Sequence, residues 1–233
     1  MNKKIVITGA TKGIGKAIAE KFAKEGWDLA LCARNENDLL SLQSEIQNTQ
    51  SKILIQKCDV SKKEEVKAFA EKIGKEFGAV DILINNAGVF FPGQIINEEE
   101  GILEKLIETN LYSAYNMSRM LLPKMIEKKA GHIFNLCSVA SLGAYSNGGS
   151  YSISKFALLG LSKALREELK EHSIKVTSLI PGATYTDSWS QSGLPESRFM
   201  KSEDIAKLVW DIYHLSESTV VEEILLRPIL GDI

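Results

Sequence analysis

Apolar positions along the chain follow two alternating rhythms. Short β-branched runs lie at about residues 3–8 (KKIVIT), 28–33 (DLALCA), 52–58 (KILIQKC), 81–85 (DILIN), 131–137 (GHIFNLC), 174–180 (IKVTSLI) and 222–227 (EEILLR), and they predict seven strands. Between them, apolar residues recur every three or four positions at about 13–25, 36–48, 62–77, 99–128, 151–171 and 202–215, which predicts amphipathic helices. Strand–helix alternation repeated six times calls for right-handed crossovers and a parallel sheet with helices on both faces. The fold class is therefore α/β, a doubly wound Rossmann-type sandwich. Ligands of such sheets bind beyond the carboxyl ends of the strands, so the residues just after each strand are where chemistry belongs.

Composition narrows the picture. A chain of 233 residues with 44% hydrophobic and 25% charged side chains is long enough for one sizeable core and short for two, so residues 1–233 are expected to form a single domain. The formal net charge of -2, without blocks of like charge, points away from nucleic acid and membrane surfaces. The N-terminal apolar run is too short for a signal peptide, and no stretch approaches the roughly 20 apolar residues of a membrane span, so a cytoplasmic location is expected. Cys32, Cys58 and Cys137 each sit in an apolar strand-like segment without metal-ligand spacing. Buried reduced thiols are expected, and no metal site.

After the first strand comes Thr8-Gly9-Ala10-Thr11-Lys12-Gly13-Ile14-Gly15, running into a helix. Glycines there permit a tight turn and close backbone approach, and the helix N-terminus offers unpaired N–H groups to a pyrophosphate. A dinucleotide site fits; a ligand-free glycine turn is the plainer alternative. Cofactor preference is read at the end of the second strand, where an acid suits NAD and an arginine suits a 2′-phosphate. Here the chain has Ala33-Arg34, with Lys12 as a second cation in the glycine loop, so NADP(H) fits better than NAD(H). Asp59, after the third strand and followed by Val60, either accepts from the adenine amino group or caps the helix starting near Ser61.

Further polar residues stand at the remaining strand ends: Asn85-Asn86-Ala87-Gly88, Cys137-Ser138, and Pro181-Gly182 followed by Thr184 and Thr186. Asn110 interrupts an otherwise apolar helical rhythm, and Tyr151 stands four residues before Lys155 at a helix start. Each alone has an innocent reading as a turn, a strand end or a solvated side chain. Together, in this order, they resemble the classical short-chain dehydrogenase/reductase family over practically the whole chain. The resemblance rests on TGATKGIG at 8–15, NNAG at 85–88, Asn110, Ser138, YSISK at 151–155 and the Pro181–Thr186 segment. It implies strand order 3-2-1-4-5-6-7 and hydride transfer between a nicotinamide and a carbonyl or alcohol. It also implies roles: Tyr151 as general acid or base, Lys155 as its cationic neighbour and ribose ligand, Ser138 as the group positioning the substrate oxygen, and Asn110 in a proton relay. Association as a homodimer or homotetramer, through the helices at 99–128 and 151–171, is implied likewise.

Physical chemistry supports the pairing. Reducing a ketone needs a proton on oxygen besides a hydride on carbon. Free tyrosine, with a pKa of about 10, is a sluggish acid–base at neutral pH, and an ammonium one helical turn away is expected to lower that value. Ser150, Ser152 and Ser154 allow close approach at the helix start, and Phe156 onward is expected to anchor the helix in the core. The substrate loop is placed at about 183–201, with Phe90, Tyr145, Trp189, Leu194 and Phe199 available to enclose an apolar ligand. Arg198 is the sole arginine near it, so a small, largely apolar substrate is expected. The last residues depart from the ending common among reductases of 3-oxoacyl-carrier-protein, which remains an alternative. A non-catalytic NADP(H)-binding sensor is another, disfavoured by the intact proton-handling set.

Overall fold

The computed structural model describes residues 2–47, 51–186 and 193–232. The elements run β1 (Lys4–Thr8), α1 (Gly13–Lys24), β2 (Asp28–Ala33), α2 (Glu36–Ile46), β3 (Ile53–Lys57), α3 (Lys63–Glu76) and β4 (Ile82–Asn85). They continue with α4 (Ile102–Ile107), α5 (Ser113–Lys128), β5 (Gly131–Leu136), α6 (Gly149–Leu169), β6 (Ile174–Pro181), α7 (Ser202–Tyr213) and β7 (Glu223–Leu226). The seven strands form one sheet in the order β3-β2-β1-β4-β5-β6-β7, with every pair parallel. This is the expected doubly wound topology.

The alternation of side chains along each strand builds two apolar layers. Ile5 and Ile7 of β1 and Leu29 and Leu31 of β2 face Phe22, Trp27 and Val209 on one side, whereas Val6, Ala30 and Cys32 face Phe69, Met117 and Leu165 on the other. Strands buried on both faces explain why β1 and β4 read as continuous apolar runs. The chain winds outward in opposite directions from β1 and β4. Their carboxyl tips therefore mark the switch point of the sheet, beyond which ligands of such folds bind.

Two helices differ from expectation. The helix expected at 99–128 begins at Ile102 and is broken by a widened π turn at Glu108–Tyr112 before α5 resumes. The extra residue of a π turn leaves the apolar rhythm almost intact, so periodicity does not reveal it. The second, α6, starts at Gly149 rather than 151 and thus includes Tyr151 in its first turn. On α6, Leu158, Leu159 and Leu165 are buried, but Ile153 and Phe156 are 41% and 46% exposed. Phe156 does not anchor the helix in the core: among the described residues it lies on a largely exposed face.

All three cysteines are free and buried. His132, at the amino end of β5, is also buried, stacked 4.0 Å from Phe134. Its Nε2 lies 2.7 Å from the Thr177 hydroxyl, which itself donates to the Val221 carbonyl at 2.6 Å. That assigns the ring proton to Nε2 and leaves Nδ1 without a partner among the described residues. Burial, helped by Lys175, pushes the His132 pKa down to about 3. Among the described residues, no helix is long and apolar enough to cross a membrane.

Candidate active site

The loop after β1 is laced to the loop after β4. The Thr8 hydroxyl accepts from the backbone N–H of Asn86 and of Ala87, both at 3.1 Å, and the Asn86 amide donates to the carbonyls of Thr8 and Gly9 at 2.9 Å. Gly9 and Gly13 have φ of +64° and +51°, a backbone region costly for any side chain. At Gly15 space decides instead, since a Cβ would run into the Gly9 carbonyl and the Asn86 amide. Thr11 and Lys12 complete the turn into α1, and Ile14 packs down on the core. No side chain caps α1 and no acid lies in its first turn, so its leading N–H groups suit an anion. These residues fit a dinucleotide pyrophosphate.

On the β2 side the Ala10 N–H donates to the Cys32 carbonyl at 3.1 Å, which brings the glycine loop against the strand end that carries Arg34. Arg34 is exposed and makes no ion pair among the described residues. Its neighbour Asn35 caps α2, accepting from Asn37 N–H at 2.9 Å and Asp38 N–H at 3.4 Å. Asp59 accepts from both the N–H and the hydroxyl of Ser61, at 3.1 and 2.8 Å, while its own N–H donates to Glu65 at 2.8 Å. Its carboxylate thus bonds within the turn ahead of α3, whose N-cap is Lys62. Val60 is buried in the apolar layer beside Cys58.

The four residues singled out for proton handling converge past the ends of β4 and β5. Asn110 lies buried within the π turn. Its Oδ1 accepts from Val89 N–H at 2.8 Å, and its Nδ2 donates to the Val89 carbonyl at 3.0 Å and to the Ser154 hydroxyl at 2.9 Å. Ser154 passes the connection on by donating to the Tyr151 carbonyl at 2.7 Å. Ser138, the cap of a short 3₁₀ turn after β5, accepts from Ala140 N–H at 3.2 Å. Gly88 fits where it does because a Cβ there would stand 3.2 Å from Asn110 Oδ1 and 3.6 Å from Lys155 Nζ.

Lys155 donates to the Leu136 carbonyl at 2.7 Å and stands 5.8 Å from the centroid of the Tyr151 ring. Burial holds its pKa down to about 8, against a smaller opposing pull from Cys137. Tyr151 departs from expectation. Burial raises its pKa, and the Ser138 hydroxyl beside it pulls the other way more weakly. An ammonium turned to the Leu136 carbonyl and itself desolvated does not outweigh the cost of burying a phenolate. The expected lowering by Lys155 is therefore absent from the protein alone.

Around this centre, Phe90 packs edge-on against Tyr151 at 4.8 Å, and Tyr145, whose pKa burial pushes up to about 12, closes in from the loop before α6. On the β6 side Pro181 ends the strand, Gly182 N–H donates to Leu226 at 2.8 Å, and the buried Thr184 hydroxyl donates to the Gly182 carbonyl at 3.1 Å. Thr186 sits over the glycine loop, its methyl 2.7 Å from where a Cβ on Gly13 would be. The two ends of the substrate loop are joined: Tyr185 N–H donates to Met200 at 2.9 Å and Met200 N–H to Ala183 at 3.0 Å. Trp189 lies outside the described residues. Leu194 is exposed, whereas Phe199 is buried against Tyr185 and serves packing. Arg198 is committed to the C-terminal tail, donating to the carbonyls of Gly231 and Asp232 at 3.0 and 2.9 Å.

Two roles in this site escaped sequence reasoning. Ser154 is legible only as a small residue at the helix start, not as the partner of Asn110. Glu98 is hidden in the acidic run NEEE, yet accepts from Ser150 at the start of α6.

The short chain dehydrogenase family model matches residues 3–196. A sepiapterin reductase of Chlorobaculum tepidum is 34% identical, with 98% of this chain and 97% of the relative covered. An alcohol dehydrogenase from the archaeon Thermococcus sibiricus, solved with 5-hydroxy-NADP, superimposes with a TM-score of 0.92 at 30% identity, over 100% of this chain and 99% of that one. L-Sorbose reductase from Gluconobacter frateurii, solved with NADPH and L-sorbose, gives 0.89 at 27% identity, over 97% and 95%. With the family model spanning most of the sequence, the chain belongs to the short-chain dehydrogenase family of oxidoreductases.

Proposed function

We propose that this chain transfers a hydride between NADP(H) and a carbonyl or secondary alcohol of a small, largely apolar substrate. The observation that carries the reading is the Ser138 hydroxyl beside Tyr151, with Lys155 one helical turn on reaching toward Gly88 of the very loop that is hydrogen-bonded to the glycine turn. A phenol and a hydroxyl there can share one substrate oxygen. When bound, the nicotinamide supplies the hydride. Everything else is work for the chain: Gly9, Thr11, Lys12, Gly13, Ile14 and Gly15 cradle the pyrophosphate, and Lys12 and Arg34 face the 2′-phosphate. Asp59 and Val60 border the adenine; Asn86, Ala87 and Gly88 line the middle; Pro181, Gly182, Thr184 and Thr186 close the β6 side.

In this reading Tyr151 gives its proton to the nascent alkoxide, and Ser138 holds that oxygen in place. Lys155 binds the ribose and balances the phenolate once it forms. Asn110 keeps the neighbouring backbone of Val89 and α6 in register for proton return. Residues 1–233 act as one NADP(H)-binding domain with the substrate loop at about 183–201. The exposed apolar side chains Tyr112, Ile153 and Phe156, on the segments expected at an interface, support association with further copies of the chain as a dimer or tetramer. Free, buried thiols accord with a cytoplasmic setting.

The test is a screen of NADPH and NADH oxidation against sepiapterin, L-sorbose, diacetyl and aromatic ketones, with wild type and Tyr151→Phe side by side. NADPH-dependent turnover that vanishes in Tyr151→Phe, while NADPH binding persists, is the expected result. Near-normal turnover by the variant overturns the assignment.

A further inference from the structure

The stretch Asn97–Glu100 has three exposed side chains and one, Glu98, turned partly inward. Its Oε1 accepts from the Ser150 backbone N–H at 2.9 Å, and its Oε2 takes a short hydrogen bond from the Ser150 hydroxyl. Ser150 is buried, and α6 has no side-chain cap of its own at Gly148. A carboxylate from 52 residues earlier therefore fills the place of the missing cap. Its loop is fastened to the same spot a second time, since Gly93 N–H donates to the Asn147 carbonyl at 3.0 Å and Gly93 pairs with Gly148. Two glycines are shaped around the carboxylate. A Cβ on Gly149 would overlap it and stand 2.7 Å from the Gly93 carbonyl, and one on Gly93 would lie 2.8 Å from Glu98 Cγ.

Ser150 immediately precedes Tyr151, and the loop that ends in Glu98 begins with Phe90, edge-on to the Tyr151 ring. We propose that Glu98 is a positioning residue for hydride-transfer chemistry: bound to Ser150, its carboxylate fixes the first turn of α6, and with it the Tyr151 hydroxyl and the Phe90 wall. The inference rests on Tyr151 being the proton donor. Its charge has a second consequence. The groups around Tyr151 are Ser138 and Cys137 past the end of β5, Lys155 on α6, Tyr145 in the preceding loop and, through the adjacent Ser150, Glu98. The N-terminus of α6 favours the phenolate, and Glu98 opposes it. Glu98 thereby adds to the burial that keeps the hydroxyl protonated, the form that donates to a carbonyl oxygen.

Glu98→Gln keeps an acceptor for the Ser150 N–H and removes the charge; Glu98→Asp keeps the charge and shortens the reach; Glu98→Ala removes both. Phenolate formation at Tyr151 is followed by near-ultraviolet difference titration, subtracting the corresponding Tyr151→Phe protein, and needs no substrate. Glu98→Gln is expected to lower the Tyr151 midpoint by about half a unit or more, and Glu98→Asp to leave it near wild type. With diacetyl and NADPH, Glu98→Ala is expected to lose about tenfold in kcat, the range of about one strong hydrogen bond, with the KM for NADPH unchanged, and Glu98→Gln to recover most of the loss. Because Glu98→Ala can fail to fold, Glu98→Gln carries the test: an unmoved midpoint overturns the proposal. If Tyr151→Phe retains turnover, the functional reading fails instead; if that variant is dead while Glu98→Gln titrates like wild type, the role of Glu98 alone is refuted.

Discussion

The side-chain amide of Asn110 donates to the Ser154 hydroxyl at 2.9 Å, joining the π turn ahead of α5 to the helix that carries Tyr151 and Lys155. The same side chain also satisfies both backbone groups of Val89, so one asparagine fixes three segments at once. Asn110→Ala strips three hydrogen bonds from a buried side chain. The expected cost is about 2–3 kcal/mol, read by urea unfolding, together with a fall of at least about tenfold in turnover. A variant as stable and active as wild type would refute this view of the π turn.

Lys155 gives a prediction in pH. Its folded pKa, about 8, lies below the ordinary 10.5, so between these values the unfolded chain binds more protons than the folded one. Stability from this group is therefore present above pH 10.5 and is lost as pH falls toward 8. Relative to Lys155→Met, wild type should gain up to about 3 kcal/mol as pH rises across that window. Thermal unfolding of both proteins at several pH values checks it, and parallel curves would show that the ammonium is better solvated than its burial implies. The variant should fold and be inactive.

His132 titrates on the acid side with the same sign. Its folded pKa of about 3 lies below 6.5, so the contribution of the neutral ring is full above pH 6.5 and disappears as pH falls toward 3. Between pH 7 and 5 wild type should lose about 2 kcal/mol through this residue alone. His132→Leu, which cannot be protonated and keeps the site apolar, should show a flatter acid limb in chemical denaturation. Equal acid limbs would place the loss elsewhere.

How much of this was legible in the sequence depended on the range of the interactions concerned. Strand and helix order followed from local periodicity, and Tyr151 to Lys155 followed from spacing on one helical turn. The π turn around Asn110 was illegible because one inserted residue barely disturbs an apolar rhythm. The direction of the Tyr151 shift depends on burial weighed against the Ser138 hydroxyl, while the Lys155 ammonium turns to Leu136, a comparison no spacing contains. Phe156 looked like core because apolar residues surround α6, and only packing reveals which side the chain itself covers. Glu98 is the extreme case, an acid in a charged run whose partner stands 52 residues away.

Arg34 separates cofactor recognition from folding. It is exposed at the tip of β2 and makes no ion pair among the described residues, and the capping of α2 is done by Asn35 rather than by its own side chain. Arg34→Asp should therefore change stability by no more than about 0.5 kcal/mol. A guanidinium bound to a 2′-phosphate contributes about 1.5–3 kcal/mol through charge-assisted hydrogen bonds, so the KM for NADPH should rise by about tenfold or more. NADH carries a ribose hydroxyl there, to which the new carboxylate can act as acceptor, and its KM should hold or fall. The ratio of kcat/KM for the two cofactors, measured with diacetyl, reads both changes together. An unaltered ratio would mean that Lys12 alone holds the phosphate, and Lys12→Ala in the Arg34→Asp background would then have to abolish the preference.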